Sequence, residues 1–279
     1  MRALRSPLAK TILSTTTVLA AVIGVTLTGT SAQAATPSLP PANGQFDYQI
    51  GGAYTPASSV SIVDRDRSSS PVVGKYNICY VNAFQTQPEE KSFWTGSHSD
   101  LLLKNSDGSY VEDPDWKGEY LLDTSTAAKR TSIAGIVDGW IDGCQSKGYQ
   151  AVEPDNLDSW TRSKGKLTKA NAIAYATLLA THAHADGLAI AQKNTTELGS
   201  AGKNTVKFDF AIAEECQFNT ECDAYTDVYG NNVIEIEYTD NRRSAYTNAC
   251  AAQGKTISVI LRDRDVVPSS DPAYRYEYC

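Results

Sequence analysis

Nine short apolar runs recur along the chain, each bounded by polar or turn-forming residues. They are FDYQIG (46–51), SVSIVD (59–64), YNICYVNAF (76–84), YLLD (120–123), YQAVEPDN (149–156), LAIAQKN (188–194), FDFAIAEE (208–215), VIEIEY (233–238) and TISVILRD (256–263). Their length and their β-branched and aromatic content predict strands. Longer helical stretches lie between several of them. The stretch 125–148 opens on a capping Ser or Thr and closes at Gly148; 168–187 opens on Thr168 and closes at Gly187. Within the second, Ile173, Ala176, Leu179, Ala180 and Ala183 fall on one face at spacings of three and four. Apolar strands alternating with helices predict a parallel sheet covered by helices. Eight such units in about 250 residues fit a (β/α)8 TIM barrel of the α/β class. Because there are nine runs, 46–51 is expected to be an additional N-terminal strand, with 59–64 opening the barrel. A doubly wound open sheet is the alternative, but no Gly-rich phosphate loop follows any run.

The first 34 residues do not belong to this pattern. Arg2, Arg5 and Lys10 form a basic start, an apolar Thr-rich stretch follows, and Ser31-Ala32-Gln33-Ala34 offers the small residues a signal peptidase reads. This predicts a secretory signal peptide over 1–34 rather than a retained membrane anchor. A flexible leader is expected over 35–45. With no Gly/Ser-rich linker, charge block or repeat beyond it, 46–279 is expected to be one domain.

The apolar runs turn polar at their C-terminal ends. These ends carry Asp64, Tyr80 with Asn82, Asp123, Glu153 with Asp155 and Asn156, Lys193 with Asn194, Glu214 with Glu215, Glu237 with Tyr238, and Asp263 with Asp265. In a barrel such ends converge on the rim where active sites form. A ring of carboxylates, hydroxyls and amides without a metal-ligand pattern points to sugar chemistry. Glycoside hydrolysis needs one carboxyl group to protonate the leaving oxygen and a second to attack the anomeric carbon or activate water. Strands four and six can face each other across the mouth, and they carry Asp155 and Glu214. Several of these residues also have structural readings. Asp123 and Asp158 could cap helices, Glu153 could partner a nearby Lys or Arg, and Asp263 and Asp265 alternate with Arg262 and Arg264 as an ion-pair strip would. His98, His182 and His184 show no metalloprotease or triad context, and no Gly-x-Ser-x-Gly elbow is present.

Loss of the three positive charges of the signal takes the net charge from −7 to −10. That balance disfavours nucleic acid and anionic membranes as partners and favours a cationic substrate. Six cysteines in an exported chain favour disulfides over zinc, and Cys216 with Cys222 could clip a loop.

The segments FDYQIG, ICYVNAF, AVEPDNLD, AIAQKN, FAIAEECQFNTEC and VILRDRD together resemble glycoside hydrolase family 114, the endo-α-1,4-polygalactosaminidase-like proteins. The resemblance implies a (β/α)8 barrel that cuts α-1,4-linked galactosamine polymer with retention and without a cofactor. It makes Asp155 the nucleophile and Glu214 the acid/base, although Glu215 stands where many relatives have Gln. Asp47 and Gln49 match a substrate-contacting N-terminal strand, and Asp64, Tyr80, Asp123, Glu153, Asn156, Lys193, Asn194, Glu237 and Asp263 are the remaining candidate substrate contacts. The resemblance also implies the pairs Cys216–Cys222 and Cys250–Cys279, leaving Cys79 for Cys144. The expected protein is a secreted monomer acting on a cationic polysaccharide. Rival readings are a secreted carbohydrate-binding barrel without turnover, or a glycosidase for another α-galactoside or amino-sugar polymer.

Overall fold

A computed structural model describes residues 36–279; the expected signal segment lies outside the described residues. Eight parallel strands pair in chain order: β1 (Phe46–Tyr48), β2 (Ile62–Asp66), β3 (Tyr76–Asn82), β4 (Ala151–Asp155), β5 (Ala189–Lys193), β6 (Phe210–Glu214), β7 (Val233–Tyr238) and β8 (Ser258–Arg262). A ninth, β9 (Tyr276–Tyr278), pairs antiparallel with the outer edge of β8. Where β8 and β9 meet β1, side chains make the link. Arg262 donates to the Tyr48 carbonyl, Tyr276 Oη donates to the Phe46 carbonyl at 2.8 Å, and Ser258 Oγ donates to the Gly44 carbonyl at 2.7 Å. The result is a nearly closed TIM-type barrel.

The barrel class is the one expected, but the runs are distributed differently. The run at 46–51 is not additional to the barrel; it supplies β1. YLLD is the run left out. It lies in the long connection between β3 and the next large helix, where Leu121 and Leu122 make only isolated antiparallel bridges to Gln85 and Leu102. There Leu121 buries against Leu103, Val111 and Leu167, a small cluster of its own, so its apolar residues are satisfied locally. Leaving out one run and gaining another cancel, so AVEPD and FAIAE remain strands four and six.

The helices are α1 (Lys91–Ser97), α2 (Ala127–Lys147), α3 (Lys169–Ala185), α4 (Cys216–Asn219), α5 (Asp223–Tyr229) and α6 (Arg243–Gln253). Thr126 caps α2 through the Lys129 amide, and Gly148 ends it at φ 93°, a left-handed conformation natural to glycine. Thr168 and Asn171 form a reciprocal capping box on α3. Inside the barrel, alternate residues of each strand meet: Phe46, Ile62, Ile78, Ala151, Ala191, Phe210, Ile212, Ile236 and Ile260 form one buried cluster. The other parity faces the helices, where Val81, Val152, Ile190 and Ala213 pack with Tyr175 and Leu179. Disulfides join Cys79 to Cys144, Cys216 to Cys222 and Cys250 to Cys279: the two pairs that the resemblance implied and the one left over. The segment before β1 is tied to the barrel by Tyr76, whose hydroxyl donates to the Ser38 carbonyl at 2.6 Å.

Candidate active site

The inward parity that fills the barrel with Ile, Ala and Phe continues upward into polar side chains. Two residues beyond Phe46 comes Tyr48, and beyond Ile62 comes Asp64. Tyr80 and Asn82 follow Ile78, Glu153 and Asp155 follow Ala151, and Lys193 follows Ala191. Glu214 follows Ile212, and Tyr238 follows Ile236. A period of two keeps all of them on the inner face, so the last turn of the barrel is a polar layer on an apolar plug.

Lys193 is the centre of that layer. Its side chain is almost fully buried, and its ammonium lies 2.7 Å from Glu153, 2.9 Å from Tyr48 Oη, 3.5 Å from Asp155 and 3.6 Å from Glu214. Burial works against this charge, but Asp155, Glu153 and Glu214 outweigh it and hold the ammonium well above its ordinary range. Asp155 and Glu214 share one nitrogen, so their facing oxygens are no more than about 7 Å apart. Both remain reachable from solvent, with 19% and 25% of their side chains exposed, whereas Glu153 beneath them is sealed.

Each of the two carboxylates has its own set of donors. Asp155 accepts from Tyr80 Oη at 2.8 Å and from the Asn156 amide at 2.7 Å. Glu214 accepts from Tyr238 Oη and from Asn194 Nδ2 at 2.9 Å, while Asn194 Oδ1 takes the Glu214 amide at 2.8 Å. Asn156 and Asn194 sit at strand ends with φ of 63° and 47°, the left-handed region that Asn tolerates better than most residues. Burial, then the neighbouring carboxylate, pushes the Tyr80 and Tyr238 phenols up, which keeps them as donors. Glu215 turns away at φ 61° onto Arg264 (2.6 Å) and Asn241. Arg264 in turn lies 4.1 Å over the Tyr238 ring, so Glu215 supports the site from outside while Glu214 stands in it.

The structure gathers Asp64, Tyr80, Glu153, Asp155, Asn156, Lys193, Asn194 and Glu214. It does not bring the other five candidates into the cluster. Asp47 and Gln49 bond each other at 2.8 Å and hold Tyr54 and Arg65 outside the barrel lumen. Asp123 takes the Ser125 amide at 3.1 Å and Lys129, bracing the start of α2. Asp263 organises the last loop through the Val267 and Arg275 amides, at 2.8 and 3.1 Å. Glu237 points outward from β7 toward α4, where it accepts the Gln217 and Phe218 amides at 3.0 and 3.1 Å. Its neighbour Glu235 faces the same way and bonds Gln253 at 2.8 Å. Burial first, and the adjacent Glu237 second, push the Glu235 carboxyl up to about 8.

Residues absent from the candidates complete the site. Tyr48 and Tyr238 are inner-face phenols, and Asn82 links Asn156 (2.9 Å) to Glu119 (3.1 Å). Glu119 comes from the β3–α2 connection, and burial raises its carboxyl to about 7 against the donors Asn82 and Gln85. Strict parity along β1, β3 and β7 would have found the first three; nothing in the sequence near Glu119 marks it. Among the described residues, two groups have metal-ligand proximity: Asp142, His182 and Asp186 on the outer helices, and Glu235 beside the Cys216–Cys222 disulfide. Neither adjoins Lys193.

The sequence profile of glycoside-hydrolase family GH114 matches residues 26–279. The chain belongs to this family. Membership makes it a glycoside hydrolase acting on polysaccharide. Comparison with curated proteins by sequence gives no significant match. Among solved structures, the chain is similar to Aspergillus fumigatus Ega3 in complex with galactosamine, with a TM-score of 0.68 and 23% identity over 88% of this chain and 98% of that one. It is also similar to the glycoside hydrolase domain of PelA from Pseudomonas aeruginosa, with a TM-score of 0.57 and 14% identity over 84% of this chain and 97% of that one. At these identities the likeness carries the fold. For this GH114 chain, the polar layer around Lys193 is the candidate site of glycosidic cleavage.

Proposed function

We propose that this GH114 protein is a secreted, endo-acting hydrolase of α-1,4-linked galactosamine-containing polysaccharide, working with retention through Asp155 as nucleophile and Glu214 as acid/base. The observation that carries the reading is the pair of solvent-reachable carboxylates, on strands four and six, held on one buried ammonium. Retaining pairs stand about 5–5.5 Å apart and inverting pairs about 6.5–9.5 Å. The ceiling of about 7 Å on the facing oxygens is compatible with the retaining spacing.

In this mechanism Glu214, oriented by Tyr238 and Asn194, is the acid and gives a proton to the glycosidic oxygen as that bond breaks. Asp155, held by Lys193 and Tyr80, attacks the anomeric carbon and forms a glycosyl ester. Glu214, now a carboxylate, removes a proton from water, and that water cleaves the ester and restores both groups. The donors around Asp155 stabilise it as an anion before attack and again as the leaving group. The acidic balance of the chain favours encounter with a cationic, deacetylated polymer. Three disulfides fit an oxidising compartment, which supports secretion.

The test is reducing-end release from partly deacetylated α-1,4-galactosamine polymer by the wild type, Asp155→Asn and Glu214→Gln. Oligomers from the wild type and a loss of several orders of magnitude in both variants are expected. Tight binding without release by the wild type would overturn the hydrolase reading for this polymer. Turnover of a different sugar polymer in its place would overturn the substrate assignment alone.

A further inference from the structure

Asp64 is fully buried in the middle of β2, and neither of its carboxyl oxygens has a donor from any other group. Glu153, two strands away on β4, is equally buried. Its Oε1 takes Lys193 at 2.7 Å and Tyr48 at 3.2 Å, while its Oε2 has no such partner. The two carboxyl groups are within hydrogen-bond reach of each other. Three acceptor atoms without donors, sealed from water, are untenable if both groups are anions: an unpaired buried carboxylate costs several kcal/mol, and like charges in contact add to that. One proton between the groups removes one of the two charges and turns the contact into a hydrogen bond, leaving a single neutral acceptor oxygen without a donor. Glu153 is the member that pairs with the ammonium, so the proton belongs to Asp64.

We propose that Asp64 is a neutral carboxylic acid that donates a hydrogen bond to Glu153 Oε2, and that the line Asp64–Glu153–Lys193 fixes the ammonium between Asp155 and Glu214. Asp64 is then a positioning residue that never meets the sugar, in contrast to its expected role as a substrate contact. The charged and titratable groups bearing on it are Glu153 and Asp155 from β4, Lys193 from β5, and the phenol of Tyr149 ahead of β4. Burial, then Glu153, raises the Asp64 carboxyl well above the usual range, and Lys193 only partly offsets this. For Glu153 burial also raises the carboxyl, but Lys193 is the leading opposing influence, which agrees with Glu153 as the anion of the pair. Asp155 and Glu214 stay reachable from solvent above the buried pair.

The kinetic part of this proposal rests on the functional reading given above; the protonation state of Asp64 does not. The experiment therefore has two arms. In the first, the side-chain carboxyl 13C resonance of Asp64 in aspartate-labelled full chain is assigned as the one lost in Asp64→Asn, and is followed from pH 5 to pH 8. The expected result is a signal at the neutral-acid position that does not titrate. A signal at the carboxylate position at pH 5, or a transition in the ordinary aspartate range, overturns the proposal.

In the second arm, hydrolysis is compared for wild type, Asp64→Asn and Asp64→Leu. Asn keeps a donor facing Glu153, and kcat should stay within about 3-fold of wild type with an unchanged pH profile. Leu keeps the volume but removes the donor, and kcat should fall on the order of 100-fold with KM nearly unchanged, the scale expected of a misplaced site. Equal loss in Asn and Leu, or a KM rise in Asn, overturns positioning through a donated hydrogen bond. If the wild type does not cleave the polymer, the substrate reading fails, while the resonance arm still decides the state of Asp64.

Discussion

Replacing Glu235 with Gln isolates one buried titration outside the active layer. In the native chain Glu235 and Glu237 lie side by side on the outer face of β7, both fully buried, and Glu237 anchors the Gln217 and Phe218 amides just after Glu214. With the Glu235 carboxyl at about 8 against an ordinary 4.5, the native state keeps a proton that the unfolded chain releases. Between those values the unfolded state binds fewer protons, so the stability contributed by this group falls as pH rises, from about pH 4.5 up through about pH 8. At 1.36 kcal/mol per unit, roughly 3 kcal/mol has been lost by pH 7. Glu235→Gln keeps the shape and a donor toward Glu237 but cannot titrate. Urea denaturation of both proteins, disulfides intact, at pH 5, 6, 7 and 8 reads the difference. The variant should be close to wild type at pH 5 and more stable by about 3 kcal/mol at pH 7, or roughly 6–12 °C in Tm for a chain of this size. A stability difference independent of pH would refute the raised Glu235 carboxyl.

Three further outcomes follow from the same geometry. Lys193→Met leaves Glu153 buried without its cation and should destabilise the protein by about 3–5 kcal/mol in urea denaturation, besides abolishing activity. Tyr238→Phe removes one donor from Glu214 and should lower kcat about 10–100-fold with little change in KM in the reducing-end assay. Cys79→Ser with Cys144→Ser opens a loop with a sequence separation of 65 and should cost about 4 kcal/mol by denaturant titration, more than loss of Cys216–Cys222 with its separation of 6.

Much of the barrel was legible because its strands are apolar on both faces and its two long helices carry clean caps. The misallocated run shows where that signal ends. YLLD has the composition of a strand, yet four apolar-rich residues bury equally well in a local cluster, and only the neighbouring chain decides between them. The expectation that Asp155 and Glu214 face one another holds because strand numbering four and six survives the error. Asp47 and Glu237 were misread because rim position was weighed without parity. Each is one residue out of step with an inward neighbour, Phe46 or Ile236, and so faces away from the lumen. Asp64 has the right parity, but depth along the strand is invisible in sequence, so nothing there marked it as fully buried. Glu119 depends on a loop path that no periodicity encodes.

The side-chain link between β1 and the β8–β9 edge also governs the order in which the molecule can assemble. Each of the other strand pairings in the barrel joins consecutive strands, whereas Gln45 reaches its partner Tyr276 across 231 positions of sequence. Pairing can therefore spread from neighbour to neighbour, but the ring is sealed only when the final segment arrives, and loop-closure entropy makes that contact late. Until then one edge of β1 and one edge of β8 stay open, and an open edge invites pairing with another chain. Oxidation of Cys250 with Cys279 belongs to that last step, because Cys279 follows β9 directly. A barrel whose last stitch is β9 against β8 therefore keeps both edges exposed until that segment docks.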